Sequence, residues 1–296
     1  MTIKPWIEAM RLRTLPVSLA GVLAGAGFVR LLGHLNTAVF ILCLVFAVLA
    51  QIASNFANEY FDFKSGLDRS GRVGPRRGVT EGDITPEAMK KATYATLTAA
   101  CLAGLSLIYW GGWIVLLFGI LIAAGVLAYS AGPYPLSRHC LGEIAVIVFF
   151  GLAPVCLTFY IMTGTLDNYV WAGALSVGLM GANVLLVNNI RDIKDDRSVG
   201  KHTLVAVMGR KFGSFLYFIN GWIAVWLTGS VWLWIGGAWL LVPSAYILFH
   251  TVLWYKIDII SRRVAKNPEE ARKLNPFLGL TAMLMATYAL FFAIAA

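Results

Sequence analysis

Long apolar runs broken by short polar stretches set the pattern of this chain. Runs of about twenty residues, enough for a helix to cross the hydrocarbon layer of a bilayer, lie at Leu15 to Leu32, Thr37 to Tyr60, Lys91 to Trp110, Trp113 to Ser130, Leu141 to Thr163, Tyr169 to Asn189, Gly213 to Trp232, Gly236 to Tyr255 and Pro276 to Ala295. Strand-sized alternation is absent, so the runs predict nine transmembrane α-helices rather than a barrel. The punctuation agrees. Pro16 is tolerated in a first helical turn, Gly111-Gly112 separates the third and fourth runs, and Ala131-Gly132-Pro133-Tyr134-Pro135-Leu136 stops the fourth, because proline cannot continue a helix. The expectation is an all-α integral membrane protein, one multi-pass domain over residues 1–296 with nine helices in one bundle.

The polar residues gather at the ends of the runs. No Asp, Glu, Lys or Arg lies near the middle of any of them, whereas ion-coupled transporters and pumps keep ionisable groups at depth. A Mg²⁺-binding transporter, the alternative from a different functional class, therefore finds no support in the pattern. A hydrophobic content of 59% and a mean hydropathy of +0.74 place the 296 residues outside the range of ordinary soluble domains. The net charge of +9 invites a nucleic-acid partner, but its distribution points elsewhere. Of the 24 Lys and Arg residues, all but Arg30 fall on one face of the predicted bundle. By the positive-inside rule that face, with the N-terminus, is cytoplasmic, which predicts a cytoplasmic (inner) membrane protein and no nucleic-acid binding. Such a face attracts membrane lipids and other anions. Cys43, Cys101, Cys140 and Cys156 form no disulfide framework or zinc spacing, and His34, His139, His202 and His250 no ligand spacing. The first run follows a basic segment, and Ala24-Gly25-Ala26 resembles a signal-peptide cleavage site, but the run's length suits a retained span.

Two polar clusters remain, and they carry the chemistry. Asn188, Asp192 and Asp196 recur every four residues, so on a helix each is displaced by only about 40° and three oxygen-bearing groups line one face. That donor set suits Mg²⁺, which takes carboxylate oxygens and is usually shared with substrate phosphates. Arg191, Lys194, Arg197 and Lys201 lie among the acids as candidate phosphate partners, and Asp195 falls off the shared face. A second cluster, Asn58, Asp62 and Asp68, also closes an apolar run. Its last acid comes six residues after the second, so the helix must break near Ser65-Gly66 for Asp68 to join the others. Two acidic helix ends roughly 130 residues apart, over 55–68 and 188–201, suggest an internal pseudo-repeat enclosing one metal and diphosphate site. Asn55, one turn earlier, either extends the site or bonds within the bundle. Glu143, at the start of a helix, reads as a cap. The loop from Asp62 to Pro86, with Gly71-Arg72-Val73-Gly74-Pro75-Arg76-Arg77-Gly78, is long for a spacer and reads as functional.

These residues resemble the UbiA superfamily of intramembrane prenyltransferases, through two Asn-x-x-x-Asp motifs, the apparent nine spans and the arginine-rich loop. Several stretches are similar to the 1,4-dihydroxy-2-naphthoate polyprenyltransferases of menaquinone biosynthesis: Arg13-Thr14-Leu15-Pro16, Asn58-Glu59-Tyr60-Phe61-Asp62-Phe63, Gly74-Pro75-Arg76-Arg77-Gly78, Tyr129 to Leu136, Gly142-Glu143 and Asn188-Asn189-Ile190-Arg191-Asp192. The likeness runs in order from Arg11 to Gly213; the last three spans match in hydropathy alone. Glu59 stands where the family often has Asp and is expected to face away from the motif, and His139-Cys140 is also a departure.

The resemblance implies transfer of a polyisoprenyl chain from polyprenyl diphosphate to 1,4-dihydroxy-2-naphthoate, with loss of CO₂ and diphosphate, giving demethylmenaquinol. The same transfer to 4-hydroxybenzoate, homogentisate or a glycerol ether lipid is the near alternative. It implies Mg²⁺ held by Asn58, Asp62, Asp68, Asn188, Asp192 and Asp196, the four aspartates being catalytic. Arg76, Arg77, Arg191 and Lys201 are implied at the diphosphate, and Phe61, Tyr129 and Tyr134 as aromatic shields for an allylic cation.

Overall fold

The computed structural model describes residues 3–71, 73–264 and 267–296, with the side chain at position 268 also left undescribed; Arg72 and Lys266, two of the basic residues assigned above to one face, lie outside the described residues. Among the described residues the chain is helical, without a strand: α1 is Lys4–Met10, α2 Leu15–Leu31, α3 Thr37–Lys64, α4 Pro86–Ser106 and α5 Ile108–Ala128. After the 129–141 loop come α6 (Gly142–Val146) and α7 (Ala153–Thr163), joined through a π-helical turn at Ile147–Leu152, then α8 (Asn168–Ser198), α9 (Leu204–Met208), α10 (Arg210–Ile235), α11 (Leu241–Val264) and α12 (Asn275–Ala295).

With α6 and α7 taken as one rod, nine long helices are present among the described residues, and eight segments are long and apolar enough to cross a membrane. The exception is α4. Its first turns carry Glu87, Lys90 and Lys91, so it has the length of a span but a polar entrance. The break expected at Gly111-Gly112 appears as a loss of helical geometry at Gly112, with φ 65°.

The inner helices are α8 and α2, the most buried of the spans; α5 and α11 are among the least. Their outer surfaces remain apolar, as with Trp113 and Leu117 on α5 and Leu248 and Phe249 on α11, because lipid rather than water is the solvent there. With little hydrophobic drive between helices in lipid, close approach and buried hydrogen bonds hold the bundle. The π-helical turn lies so close to α8 that a Cβ on Gly151 would stand 2.5 Å from the Ala174 carbonyl oxygen and from the Gly178 Cα. Polar ties join α8 to α10, with Asn183 Nδ2 donating to the Tyr217 carbonyl at 3.0 Å and Asn220 Nδ2 to Asn183 Oδ1 at 3.1 Å. Thus α8, whose end carries the second acidic cluster, is locked on several sides.

Candidate active site

The two acidic clusters close α3 and α8 at the same end of the bundle. Helix α3 stops at Lys64 as the spacing demands: Gly66 takes φ 68°, and the Leu67 N–H bonds back to the Asp62 carbonyl oxygen at 3.0 Å. This left-handed cap turns the chain so that Asp68 returns toward Asn58. Arg77 joins the two, donating from Nη2 to Asn58 Oδ1 at 2.9 Å with Nε 3.3 Å from Asp68 Oδ2. Arg11 also donates to Asn58 Oδ1, at 2.6 Å, and Asn58 Nδ2 donates to Ser130 Oγ at 3.0 Å. Asp62 accepts from Arg138 Nη2 at 3.2 Å, and the same nitrogen donates to the Ser130 carbonyl.

The second cluster is built along one helix. Arg191 grips both oxygens of Asp192, from Nε at 2.6 Å and from Nη2 at 2.7 Å, and donates to Asn188 Oδ1 at 2.6 Å. Its Nη1 reaches Asn275 Oδ1 at 3.0 Å. Asp196 lies 3.7 Å from Lys201 Nζ and accepts from Thr203 Oγ1 at 3.3 Å. All four aspartates are thus buried against a cation, the pairing that keeps a desolvated carboxylate charged. Asp195 and Lys194 lie off this face, Lys194 in the open.

Two bridges tie the clusters together. Cys140 N–H donates to the His202 carbonyl at 2.8 Å, and His202 N–H to the Arg138 carbonyl at 3.1 Å. The loop bearing Arg138 is thereby stitched to the loop bearing Lys201. Through α12, Asn275 receives Arg191 and donates to the Val73 carbonyl at 3.4 Å. Tyr129 immediately precedes Ser130, which accepts Asn58 Nδ2 and, through its carbonyl, Arg138 Nη2 at the first cluster. Tyr129 also lines an apolar cavity of about 500 Å³ bounded by α2, α3, α4, α5, α6 and α7, with Val22, Phe46, Leu97, Val115, Phe149 and Leu157 in its wall.

The aromatic and arginine expectations divide. Tyr129 is at the cavity, but Phe61 packs edge-on against Tyr60 outside its lining. Tyr134 is 59% exposed and stacks on His139 with centroids 3.6 Å apart, because the two prolines carry it out on the loop surface. Arg76 pairs with Asp83 at an exposed position. Arg77 is buried in the first cluster, while Arg191 is occupied by Asp192 and Asn188 on its own helix and by Asn275 on α12.

Other residues carry more than the sequence suggested. Glu59 does not face away to no purpose: 1% exposed, it accepts the Val79 N–H at 3.0 Å and anchors the arginine loop to α3. Glu143 is no simple cap, since its buried Oε1 accepts Asn189 Nδ2 at 2.9 Å. Asn55 bonds within the bundle, to the Met10 carbonyl at 2.9 Å. Arg138 and Asn275 were not singled out, Ser130 entered only as part of the Tyr129 to Leu136 stretch, and the two arginines, Arg11 and Arg138, were given no role beyond orienting charge.

Among the described residues no three His, Cys, Asp or Glu side chains converge as a ready-made metal cluster. The donors instead form two opposed sets of Asn and Asp oxygens. That fits a hard cation which completes its shell with water and substrate phosphate, as Mg²⁺ does, better than a caged structural metal.

The profile of the UbiA prenyltransferase family matches residues 15–280. The chain is 38% identical over 210 residues to a 1,4-dihydroxy-2-naphthoate octaprenyltransferase of Escherichia coli (strain K12), covering 69% of this chain and 68% of that protein. It is 31% identical over 295 residues to one of Mycobacterium tuberculosis (strain ATCC 25618 / H37Rv), covering 96% and 94%. A UbiA homolog from Archaeoglobus fulgidus, solved bound to DMAPP and Mg²⁺, superposes with a TM-score of 0.66 over 98% of this chain and 99% of that one; at 16% identity it speaks for the fold alone. Paired acidic helix ends over an apolar cavity, and a profile match across nearly the whole chain, lead to one assignment: the chain belongs to the UbiA prenyltransferase family.

Proposed function

We propose that this multi-pass membrane protein transfers a polyprenyl chain from its diphosphate to 1,4-dihydroxy-2-naphthoate, releasing diphosphate and CO₂, a step of menaquinone biosynthesis. The observation that carries the reading is the junction at Tyr129 and Ser130, where the first lines the apolar cavity and the second bonds to Asn58 and Arg138 of the first acidic cluster. The acceptor comes from the names of the relatives, which share a third or more of the aligned residues.

The apolar cavity takes the chain and the polar end takes the diphosphate. Arg77, Arg138 and Lys201 already sit within 4 Å of the acids, and a diphosphate placed between the clusters takes over their positive charge, with Arg11 beside Arg77. Arg191 stays on Asp192 and Asn188 and holds that face of α8 rigid. Arg76, paired with Asp83, supports the loop rather than the substrate. Asn58, Asp62, Asp68, Asn188, Asp192 and Asp196 would hold Mg²⁺, which when bound would supply the charge neutralisation that makes diphosphate a better leaving group. Tyr129 presents its ring face to the electron-poor allylic carbon. The apolar walls exclude water, which would otherwise capture that carbon before the aromatic ring attacks. The ring carbon bearing the carboxylate forms the new C–C bond, its C–CO₂ bond breaks, and the electron pair restores aromaticity. The polar end faces the cytoplasm of an inner membrane, in keeping with its basic residues.

The test is mass-spectrometric product analysis of the purified protein given a polyprenyl diphosphate and competing aromatic acids. Decarboxylated prenyl-naphthoquinol is expected with Mg²⁺, is abolished by chelator, and falls at least about 100-fold in Asp62→Asn and Asp192→Asn. Product on 4-hydroxybenzoate alone would overturn the acceptor, and no product on any acceptor the activity.

A further inference from the structure

A second pocket, of about 380 Å³, lies away from the cavity, between the start of α10 and the end of α11. Its rim is charged: Lys211 on α10 and Arg262 on α11, with Asp258 between them. Asp258 is already engaged, accepting Ser214 Oγ at 2.8 Å and lying 2.7 Å from Arg262 Nη2. Among the described residues Lys211 forms no ion pair, so the rim keeps one positive charge in excess. The floor is aromatic, Phe218 and Trp254 meeting with centroids 4.6 Å apart beside Phe215.

What lies beyond the rim decides what fits. Four residues past Lys211, Phe215 begins a line of exposed side chains on α10 that continues through Trp222 and Trp226, all within about 20° of one direction. Along α11 the exposed residues Tyr255, Val252 and Leu248 lead away from Arg262 in the same sense. Both helices therefore present a cation at the polar end of the bundle and an apolar stripe running from it into the membrane. This is the imprint of an amphiphile with an anionic head, since basic pockets between helices at the bilayer surface suit lipid head groups and aromatic rings suit the boundary just beneath.

We propose that this pocket is a binding site for an anionic phospholipid, its head group on Lys211 and Arg262 and an acyl chain along Phe215 and Trp222. The ligand clamps α10 to α11 and plays no part in the chemistry at α3 and α8. A zwitterionic lipid carries the same phosphate but offers no net charge to the excess cation.

The site is tested by native mass spectrometry of the full-length protein after detergent delipidation and exposure to vesicles of phosphatidylglycerol or of phosphatidylcholine. Wild type is expected to retain one phosphatidylglycerol, and the Lys211→Ala/Arg262→Ala variant to lose it by about thirtyfold in affinity, roughly fivefold per cation. Lys256→Ala/Arg263→Ala removes the same charge from the same end outside the pocket and is expected to keep the lipid. Lys211→Gln alone, at an exposed unpaired residue that leaves the fold untouched, is expected to cost about fivefold. Equal losses in the two double variants, retention of phosphatidylcholine as strong as that of phosphatidylglycerol, or displacement by soluble glycerol 3-phosphate would each overturn the proposal.

Discussion

The two acidic clusters are alike in composition and unlike in construction. In the second, the partners come from α8 and the turn after it: Arg191 holds Asp192 and Asn188 one and three residues away, and Lys201 meets Asp196 five residues on. In the first, the partners arrive from three separate segments: Arg11 from before α2, Arg77 from the loop after α3, and Arg138 from the loop after α5. The centre of the second cluster, Arg191 on Asp192 and Asn188, is assembled once α8 has folded. The first exists only when three separate segments are in place, so the expectation, tested below, is that it is the half that opens and closes around a substrate while the second stays a fixed wall.

The difference is sharpest at the arginines. Arg191→Ala leaves Asp192 buried without the group that grips both its oxygens. The cost in folding stability is expected to be about 3–5 kcal/mol, visible as a lowered unfolding temperature of the purified protein. Arg138→Ala removes a less buried partner from a loop. Because Arg138 makes a single contact to Asp62 where Arg191 makes two to Asp192, this substitution should lower the unfolding temperature less than Arg191→Ala does, and lower prenyl transfer about 10- to 100-fold, the loss of one charge-assisted contact at the diphosphate, with Arg138→Lys recovering part of it. If both substitutions act mainly on stability, the distinction between fixed wall and movable half fails.

This contrast also explains what could be read in advance. The second cluster was legible because its three oxygen-bearing residues share one helix, where a spacing of four places Asn188, Asp192 and Asp196 on one face. The break after Ser65 was legible for the same local reason: six residues cannot align Asp62 with Asp68 unless the helix ends. Arg11 and Arg138 were not, because a lone arginine at a helix end looks the same whether it orients the chain in the membrane or bonds a residue 47 or 76 positions away. Asn275 sits in a region matched only by hydropathy, which carries no record of side-chain partners. Tyr134 and Phe61 were placed by nearness in sequence, and one residue's rotation on a helix or two prolines in a loop sufficed to aim them elsewhere.

Asn275 offers a smaller test of how the halves communicate. It joins Arg191 of the fixed wall to Val73 of the movable loop, the latter bond being long at 3.4 Å. Asn275→Ala removes one neutral hydrogen bond and one to a guanidinium, and the expected result is a rise of about three- to tenfold in KM for the prenyl diphosphate with little change in kcat. A fall in kcat with KM unchanged would mean that Asn275 acts on the transition state instead of on loop closure.

The smallest effect concerns the stitch between the two loops. Cys140 sits at φ 58°, its N–H and Sγ both directed at the His202 carbonyl, at 2.8 and 3.3 Å. Burial there, and secondarily the Glu143 carboxylate, pushes its thiol pKa up from the ordinary value. A raised pKa means that the neutral thiol persists to higher pH, so the reactive thiolate forms only above the usual range of about 8.5. Alkylation of Cys140 by iodoacetamide, followed by peptide mass spectrometry across a pH series, is therefore expected to show a midpoint above that of a free cysteine. Glu143→Gln removes the secondary cause and should lower the midpoint without restoring the free value, because the larger effect of burial remains. A midpoint at the free value in the wild type would mean that the loop is open in solution and that His202 does not hold the two clusters together.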